Sequence, residues 1–80
     1  MKVRVYVTLK EGILDPQGKA VKHSLNTLGY SSVEDVRIGK YIELNLNNIS
    51  IDNLDIQIKE MCNKLLANTI IEDFRYEIEK

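Results

Sequence analysis

The chain has 80 residues, which is the size of one small domain, so we expect a single domain over residues 1–80. Its 11 basic and 12 acidic side chains leave a net charge of −1, and this balance argues against sequence-independent binding to nucleic acid or to a membrane surface. No apolar run is long enough to cross a bilayer and the single cysteine cannot form an internal disulfide, so we expect a cytoplasmic protein.

The first two predicted elements are a strand and a helix. Apolar and polar side chains alternate over residues 2–9, which predicts a strand with one buried face. Asp15 followed by Pro16 predicts a helix start, because aspartate caps free backbone N–H groups and proline suits the first helical position. Gly29 predicts the end of this helix in a left-handed cap. The predicted apolar face consists of Ala20, Val21, Leu25 and Leu28.

The middle of the chain alternates again over residues 33–46, with an interruption at Gly39 and Lys40. A two-residue turn there would put Ile42 on the wrong face, whereas the three-residue loop Gly39-Lys40-Tyr41 pairs Ile38 with Ile42. One long bent strand fits the same alternation, so the pattern leaves both arrangements open. The asparagine-rich residues 45–53 predict a polar connection to the next element.

A second helix and a final strand complete the predicted fold. Ser50 or Asp52 is the predicted N-cap of this helix, Asn68 is its predicted C-terminal cap, and residues 69–79 alternate as a strand. The predicted buried face of the helix consists of Leu54, Ile58, Met61, Cys62, Leu65 and Leu66.

The resulting order, β-α-β-β-α-β, predicts an α+β, ferredoxin-like two-layer sandwich. In this fold both helices pack on one face of an antiparallel sheet, and the other face is left open. The small size and the open face together predict an oligomer. The residues predicted on the open face are Arg4, Tyr6, Thr8, Arg37 and Glu43.

The chain offers few groups for catalysis. His23 lies away from the apolar face of the first helix and is predicted to be a solvated surface residue, and Cys62 is predicted to be a buried structural cysteine. One histidine and one cysteine do not form a metal site, and the glycine motifs that bind phosphate are missing. The residues alone therefore indicate a non-catalytic domain. They leave open a stand-alone, small-molecule-binding regulatory domain of the ACT type.

A distinctive run, VYVTLKEGILDPQGKAV, occupies residues 5–21. It is followed by LGY at 28–30, VRIGKYIEL at 36–44, CNKLLAN at 62–68 and IEDFRYEI at 71–78. Together these segments resemble the PurS family, the small subunits of bacterial and archaeal phosphoribosylformylglycinamidine synthase. Two departures are Thr69, where the family often has proline, and Phe74, where it often has tyrosine.

The resemblance implies a role in de novo purine biosynthesis. In this enzyme complex, which uses ATP, magnesium and glutamine, a large synthetase subunit (PurL) performs the ligation and a glutaminase subunit (PurQ) releases ammonia. The resemblance implies that the small subunit binds no cofactor, is not catalytic by itself, bridges the other two subunits and assists ammonia transfer. It also implies a homodimer or homotetramer.

Two groups of residues are predicted to make contacts in such a complex. The loop before the first helix carries unusual sequence specificity, and loops carry function more often than cores do. The sequence specificity of this loop also has a local explanation, which remains open. Ile13 can pack as a hydrophobic staple beside the Asp15 cap and so stabilise the start of the helix. The predicted contacts to a partner subunit are Lys10, Glu11, Gly12, Ile13, Leu14, Gly18, Gly39, Lys40 and Tyr41. The predicted dimer contacts are Arg4, Tyr6 and Tyr76.

Overall fold

The computed structural model describes residues 1–47 and 50–79. Within them the chain forms β1 (Lys2–Leu9), α1 (Pro16–Thr27), β2 (Gly39–Asn45), α2 (Ile51–Met61) and β3 (Glu72–Glu79), with a π-helical turn at Cys62–Leu66 that continues α2. The strand order is β2-β1-β3, and β1 runs antiparallel to both neighbours. The predicted α+β class, with an antiparallel sheet and two helices, is confirmed. No helix among the described residues is long and apolar enough to span a membrane.

The core lies between the central strand and α2. The alternation predicted for β1 is confirmed, because Val3, Val5 and Val7 are all at most 1% exposed. Ile58 and Cys62 pack over these valines and are fully buried. Burial raises the pKa of the Cys62 thiol, so this cysteine is the inert structural residue that the sequence predicts.

The predicted hairpin at Gly39 is wrong. Gly39 opens β2 and pairs with Thr8, so no turn reverses the chain there, and residues 33–38 form no strand. Backbone N–H groups of this segment bond to side chains instead of to a neighbouring strand. The N–H of Val36 donates to Asp35 Oδ1, and the N–H of Ile38 donates to the Asp15 carboxylate. The sheet therefore has three described strands instead of four. The alternative of one long bent strand over residues 33–46 is also wrong, because only Gly39–Asn45 forms a strand.

Helix α1 begins and ends as predicted but contributes no side chain to the core cluster of the described residues. Asp15 caps its N-terminus, and Gly29 follows its C-terminus with φ +104°. Its apolar face stays open, since Val21 is 39% exposed and Leu28 is 73% exposed. The predicted packing of both helices on the sheet therefore holds only for α2 within one chain.

The π-helical turn explains a second difference. Ala67 N–H donates to the Cys62 carbonyl, five residues back, so the helix widens over its last turn. The wider turn shifts the positions that follow Cys62 around the axis. As a result Leu66 is half-buried, whereas Leu65, predicted on the buried face, is 83% exposed.

The two ends of this helical segment also refine the predictions. Ser50 occupies the N-cap position of α2, and Asp52 lies in its first turn. Ala67 is the C-cap residue, so Asn68 lies one residue beyond it. The Asn68 carbonyl accepts hydrogen bonds from Ile71 and Glu72, which folds residues 69–71 into a turn and starts β3 three residues later than predicted. Residues 48 and 49 of the predicted polar connection lie outside the described residues.

Candidate interaction surface

The loop between β1 and α1 has a defined conformation. Gly12 has φ +83°, a value that favours glycine, and the Ile13 N–H donates to the Lys10 carbonyl across this turn. Lys10 N–H donates to the Ile71 carbonyl at 2.8 Å, which ties the loop to the residues just before β3. The turn presents Ile13 at 41% exposure and Leu14 at 63% exposure. The structure thus holds two large apolar side chains in solvent at one end of the sheet.

Asp15 connects this loop to the chain that follows α1. Its Oδ1 accepts a hydrogen bond from the Gly18 N–H at 2.9 Å, and its Oδ2 accepts one from the Ile38 N–H at 2.8 Å. These bonds, the Ile38 bond above all, hold the pKa of the Asp15 carboxyl below its ordinary value of 3.8. One carboxylate therefore caps α1 and fixes the start of β2 against it.

We expect this carboxylate to make the stability depend on acid. Because its pKa is lower in the folded chain than in the unfolded chain, its contribution is present above pH 3.8 and is lost as the pH falls through the folded pKa. Asp15→Asn keeps one acceptor oxygen and loses the charge, so the thermal midpoint at pH 7 should fall by about 5 °C. The difference from wild type should shrink below pH 3.8.

Thermal melts between pH 7 and pH 2.5 check this expectation. Asp73→Asn removes a carboxylate on the exposed side of β3 and serves as the matched control. An equal pH profile for the two variants would show that Asp15 makes no special contribution.

Gly18 is buried where α1 meets the segment after it. A Cβ atom at this position would lie 2.3 Å from the Val36 carbonyl oxygen and 2.7 Å from Asp15 Oδ2. Such distances are far below van der Waals contact, so only glycine lets the two segments approach this closely. Gly18 was predicted to contact a partner, but its burial gives it an internal packing role and no exposed surface to offer.

The loop, α1 and the following segment enclose an open cleft of about 530 Å³. Its rim mixes cations and anions, so it shows no preference for an anionic ligand. Arg37, predicted on the open sheet face, lies here instead because residues 33–38 form no strand. The lining includes Ile13, Leu14, Lys19, Asp35 and Arg37. Exposed apolar side chains among charges of both signs are typical of a surface that contacts another protein.

The other predicted partner contacts do not share one surface. Lys40 lies opposite Val7 on the helix side of the sheet, with its Nζ 3.7 Å from a carboxylate oxygen of Glu72. Tyr41 is on the opposite side, where it is 54% exposed. Gly39, Lys40 and Tyr41 therefore belong to a strand, and alternation sends neighbouring side chains to different faces.

The open sheet face carries an aromatic and charged cluster. The rings of Tyr6 and Tyr41 have centroids 5.4 Å apart, and the Arg75 guanidinium lies 4.0 Å from the Tyr6 centroid. Arg4 donates a hydrogen bond to the Glu79 carboxylate on the same face. The predicted position of Arg4 and Tyr6 on this face is confirmed, whereas Arg75 and Tyr41 were not singled out for it. Register across the sheet, which the sequence does not reveal, brings them together.

Tyr76 is not part of this cluster. It pairs with Val5 across the sheet, so its side chain lies on the helix side, half-buried. Its hydroxyl donates to Asp55 Oδ1 at 2.8 Å, and burial is the first cause that raises its pKa. The three predicted dimer contacts therefore divide between the two faces of the sheet.

The described residues hold no group of three or more histidine, cysteine, aspartate or glutamate side chains that could bind a metal ion. His23 is exposed on α1, as predicted, and Cys62 is buried. The surfaces that remain are suited to protein contact, through the loop and cleft at one end of the sheet and through the cluster on its open face.

Comparison with known proteins places these surfaces in context. The family model of PurS, described as phosphoribosylformylglycinamidine (FGAM) synthase, matches residues 2–80. The phosphoribosylformylglycinamidine synthase subunit PurS of Bacillus subtilis is 61% identical over 79 residues, which cover 99% of this chain and 93% of that protein.

Solved structures agree with this match. A crystal form of B. subtilis PurS, 61% identical, superposes with a TM-score of 0.89 over 99% of this chain and 98% of the other. PurS of Methanocaldococcus jannaschii, one of the subunits of formylglycinamide ribonucleotide amidotransferase in the purine biosynthetic pathway, is 35% identical with a TM-score of 0.85 and covers 99% and 95%. A chain of PurLQS from Thermotoga maritima, 24% identical with a TM-score of 0.84 over 95% and 93%, shares the fold.

Proposed function

Because this chain belongs to the PurS family of phosphoribosylformylglycinamidine synthase subunits, we propose that it serves purine biosynthesis as the small, non-catalytic subunit of that enzyme. In this role it joins an ATP-dependent synthetase subunit to a glutaminase subunit and assists the transfer of ammonia between them. It acts as a homo-oligomer in the cytoplasm. The observation that carries the proposal is the family match over residues 2–80.

The chemistry of the chain supports a role in assembly rather than in the reaction itself. Ligation with ATP and hydrolysis of glutamine each need positioned nucleophiles, bases or metal ligands. In the described residues the only histidine is exposed, the only cysteine is buried, and the acidic residues form no metal-binding group. We therefore assign ATP, magnesium and glutamine to the other subunits, and contact surfaces to this one.

The loop Lys10 to Leu14 is the proposed contact with a partner subunit. Its two apolar side chains, Ile13 and Leu14, are exposed although the loop is fixed by backbone hydrogen bonds to its own turn and to Ile71. A surface that is already ordered loses little conformational entropy when a partner binds. Lys10, Glu11 and Gly12 belong to the same proposed surface, and the cleft lies beside it.

Reconstitution tests the proposed function. The cognate synthetase and glutaminase subunits are assayed with and without this chain, using either glutamine or ammonium as the nitrogen donor. We expect glutamine-dependent synthesis only when the chain is present, and ammonium-dependent synthesis with the synthetase alone. Glutamine-dependent turnover that is unchanged without the chain would contradict the proposal and would favour the stand-alone regulatory domain.

Leu14→Asp should weaken binding to the partner subunits. The side chain is 63% exposed, so the chain alone should fold normally, but an interface would have to desolvate the new carboxylate. We expect the affinity to fall by about 10-fold or more, and glutamine-dependent activity at limiting subunit concentration to fall with it.

Ile56→Asp is the matched control, because Ile56 is 58% exposed on α2, away from the loop and the cleft. Titration calorimetry measures the binding, and circular dichroism measures the folding. If the Leu14 variant loses its secondary structure, the loop has the local stapling role instead. Equal effects of the two variants on binding would also argue against a contact at Leu14.

A further inference from the structure

We propose that residues 65–72, between α2 and β3, form an apolar turn whose Leu65 and Ile70 side chains insert into an apolar groove of a catalytic subunit, and that carboxylates edge this groove. The inference rests on the proposed function, because it takes the partner to be the same subunit that contacts the loop Lys10 to Leu14. The turn therefore enlarges the contact surface at this end of the sheet.

Two aliphatic side chains of the apolar turn lie almost entirely in solvent. Leu65 and Ile70 are each 83% exposed, more than any other large hydrophobic side chain that the structure describes. Neither belongs to the core cluster or packs against it. Burial of such side chains against another protein removes apolar surface from water and favours association. The turn thus offers two apolar anchors that the chain itself leaves uncovered.

The apolar turn is ordered by its own hydrogen bonds, which centre on Asn68. Asn68 Oδ1 accepts the Ile70 N–H at 3.2 Å, and the Asn68 carbonyl accepts the N–H groups of Ile71 and Glu72 at 3.0 and 2.7 Å. The Asn68 N–H donates to Glu72 Oε1 at 2.7 Å. Because these bonds fix the backbone before a partner arrives, binding costs little conformational entropy.

The π-helical turn at the end of α2 determines which leucine reaches the surface. Leu66 is half-buried against the core, whereas Leu65 points away from it. The wide turn, closed by the Ala67 N–H to the Cys62 carbonyl, produces this division. Single π-helical turns are frequent at functional sites. The irregular geometry therefore places Leu65 on the surface at the expense of a regular helix end.

The apolar turn adjoins the loop that is proposed to contact a partner subunit. The Lys10 N–H donates to the Ile71 carbonyl at 2.8 Å, which holds the loop and the turn together. The loop adds the exposed side chains of Ile13 and Leu14. One end of the sheet thus presents apolar side chains from two connected segments. A single protein surface can cover both, so we assign them to one subunit.

The charges around the apolar turn indicate the character of the groove. Glu72, the only carboxylate in residues 65–72, is 12% exposed, and its Oε2 lies 3.7 Å from Lys40 Nζ. Lys40 and Lys64 are themselves exposed. Glu60 lies 3.6 Å from Lys64, but an exposed pair of this kind contributes little and can be exchanged for a partner's carboxylate. The outward charge beside the turn is positive, so a complementary groove has an acidic rim.

Photo-crosslinking in the reconstituted complex identifies the occupant. A benzophenone amino acid replaces Leu65, Ile70 or Leu14, one position at a time, and Ile56 is the control position on α2. We expect crosslinks from the first three positions to the same catalytic subunit and none from Ile56. Crosslinks from Leu65 or Ile70 to a second copy of this chain, to the other catalytic subunit or to no protein would overturn the proposal.

The double variant Leu65→Asp, Ile70→Asp gives an independent readout. The concentration of chain that half-saturates glutamine-dependent synthesis should rise at least about 10-fold, because the groove would have to desolvate two carboxylates. The rate at saturation should stay unchanged. Ile56→Asp should behave as wild type, and circular dichroism reports folding. If the double variant does not fold, Leu65→Ser, Ile70→Ser replaces it, and half-saturation at the wild-type concentration would overturn the proposal.

A charge reversal tests the acidic rim. Lys64→Glu should raise the half-saturating concentration about 3-fold or more at low salt, and the difference should shrink at high salt, where charges are screened. Lys59→Glu makes the same change of net charge on the exposed surface of α2 and is the matched control. Equal effects of the two reversals would show that only net charge matters and would overturn the acidic rim.

The outcomes separate this inference from the proposed function. Glutamine-dependent synthesis that proceeds without the chain contradicts the proposed function. If the chain is required but the double variant half-saturates at the wild-type concentration, only the inference fails. Sedimentation with vesicles of anionic phospholipid covers one further occupant, since apolar and basic side chains together also suit a lipid surface. Vesicle binding that the double variant loses, without a crosslink to a subunit, would overturn the proposal.

Discussion

Ile58→Ala is expected to remove a large part of the stability of the chain at room temperature. Ile58 is fully buried, and α2 holds it against the valines of β1 in the one core cluster that the described residues form. Truncating a buried isoleucine to alanine costs about 2–5 kcal/mol through lost apolar burial and the cavity that remains. A domain of this size has a total stability of only about 5 kcal/mol.

Urea titration followed by circular dichroism measures this effect. Ile56→Ala is the control on the same helix, two residues away and 58% exposed, and it should change the free energy of unfolding by less than about 0.5 kcal/mol. If both variants unfolded at the same urea concentration, the contact between α2 and β1 would not be the main source of stability.

Gly18→Ala should destabilise the chain although it places a better helix former inside α1. Helix propensity alone predicts a gain of about 1 kcal/mol for this change. The new Cβ, however, would lie 2.3 Å from the Val36 carbonyl oxygen, which belongs to backbone and cannot turn aside. We expect a net loss of about 1–3 kcal/mol and displacement of residues 36–38 from α1.

Amide spectra locate this displacement. The Ile38 N–H, which donates to Asp15, should lose its protection from hydrogen exchange in Gly18→Ala. In Gly12→Ala the same amide should keep its protection. Alanine is strained at the Gly12 φ of +83°, but no heavy atom lies within 4 Å of the new Cβ, so the strain stays in the loop. A Gly18→Ala chain that is more stable than wild type would contradict this prediction. It would show that α1 and residues 36–38 can move apart without a loss of stability.

The sequence predicted correctly those parts of the fold in which the local residue pattern and the final packing favour the same structure. Val3, Val5 and Val7 alternate and are buried, and Asp15 caps α1 where the Asp-Pro pair indicated. Leu65 was placed wrongly because one wide helical turn, an i to i+5 hydrogen bond, moves it around the axis after Cys62. Nothing in the local apolar pattern marks such a turn, so the error is one of geometry rather than of hydrophobicity.

The fourth predicted strand failed for a long-range reason. Alternation over residues 33–46 fits a hairpin and a single extended segment equally well. Neither forms over the whole segment, because the Asp15 carboxylate accepts the Ile38 N–H, 23 positions along the chain, and only Gly39–Asn45 joins the sheet. Such a bond has no signature in the residues around Ile38. The same bond explains why Arg37 lies in the cleft instead of on the sheet.

The candidate surfaces were predictable only in part. Ile13 and Leu14 stood out because apolar residues in a loop need an explanation, and the structure leaves both exposed. Arg75 could not be singled out, since its position over the Tyr6 ring depends on the register between β3 and β1. Gly18 carried a signal of sequence specificity, but the signal reports a close approach of two backbones rather than a contact with a partner.

The central position of β1 has a consequence for how the protein is made. Lys2 pairs with Asn45 on one side and with Glu79 on the other, so β1, the earliest of the three described strands to be synthesised, is completed by β3, the latest of the three. Pairings so distant in sequence are slow to form, because the loop must close before the contacts form. Until β3 leaves the ribosome, β1 lacks one of its two neighbouring strands and its valine side chains stay exposed. Chaperones would recognise these side chains as part of an unfolded apolar segment.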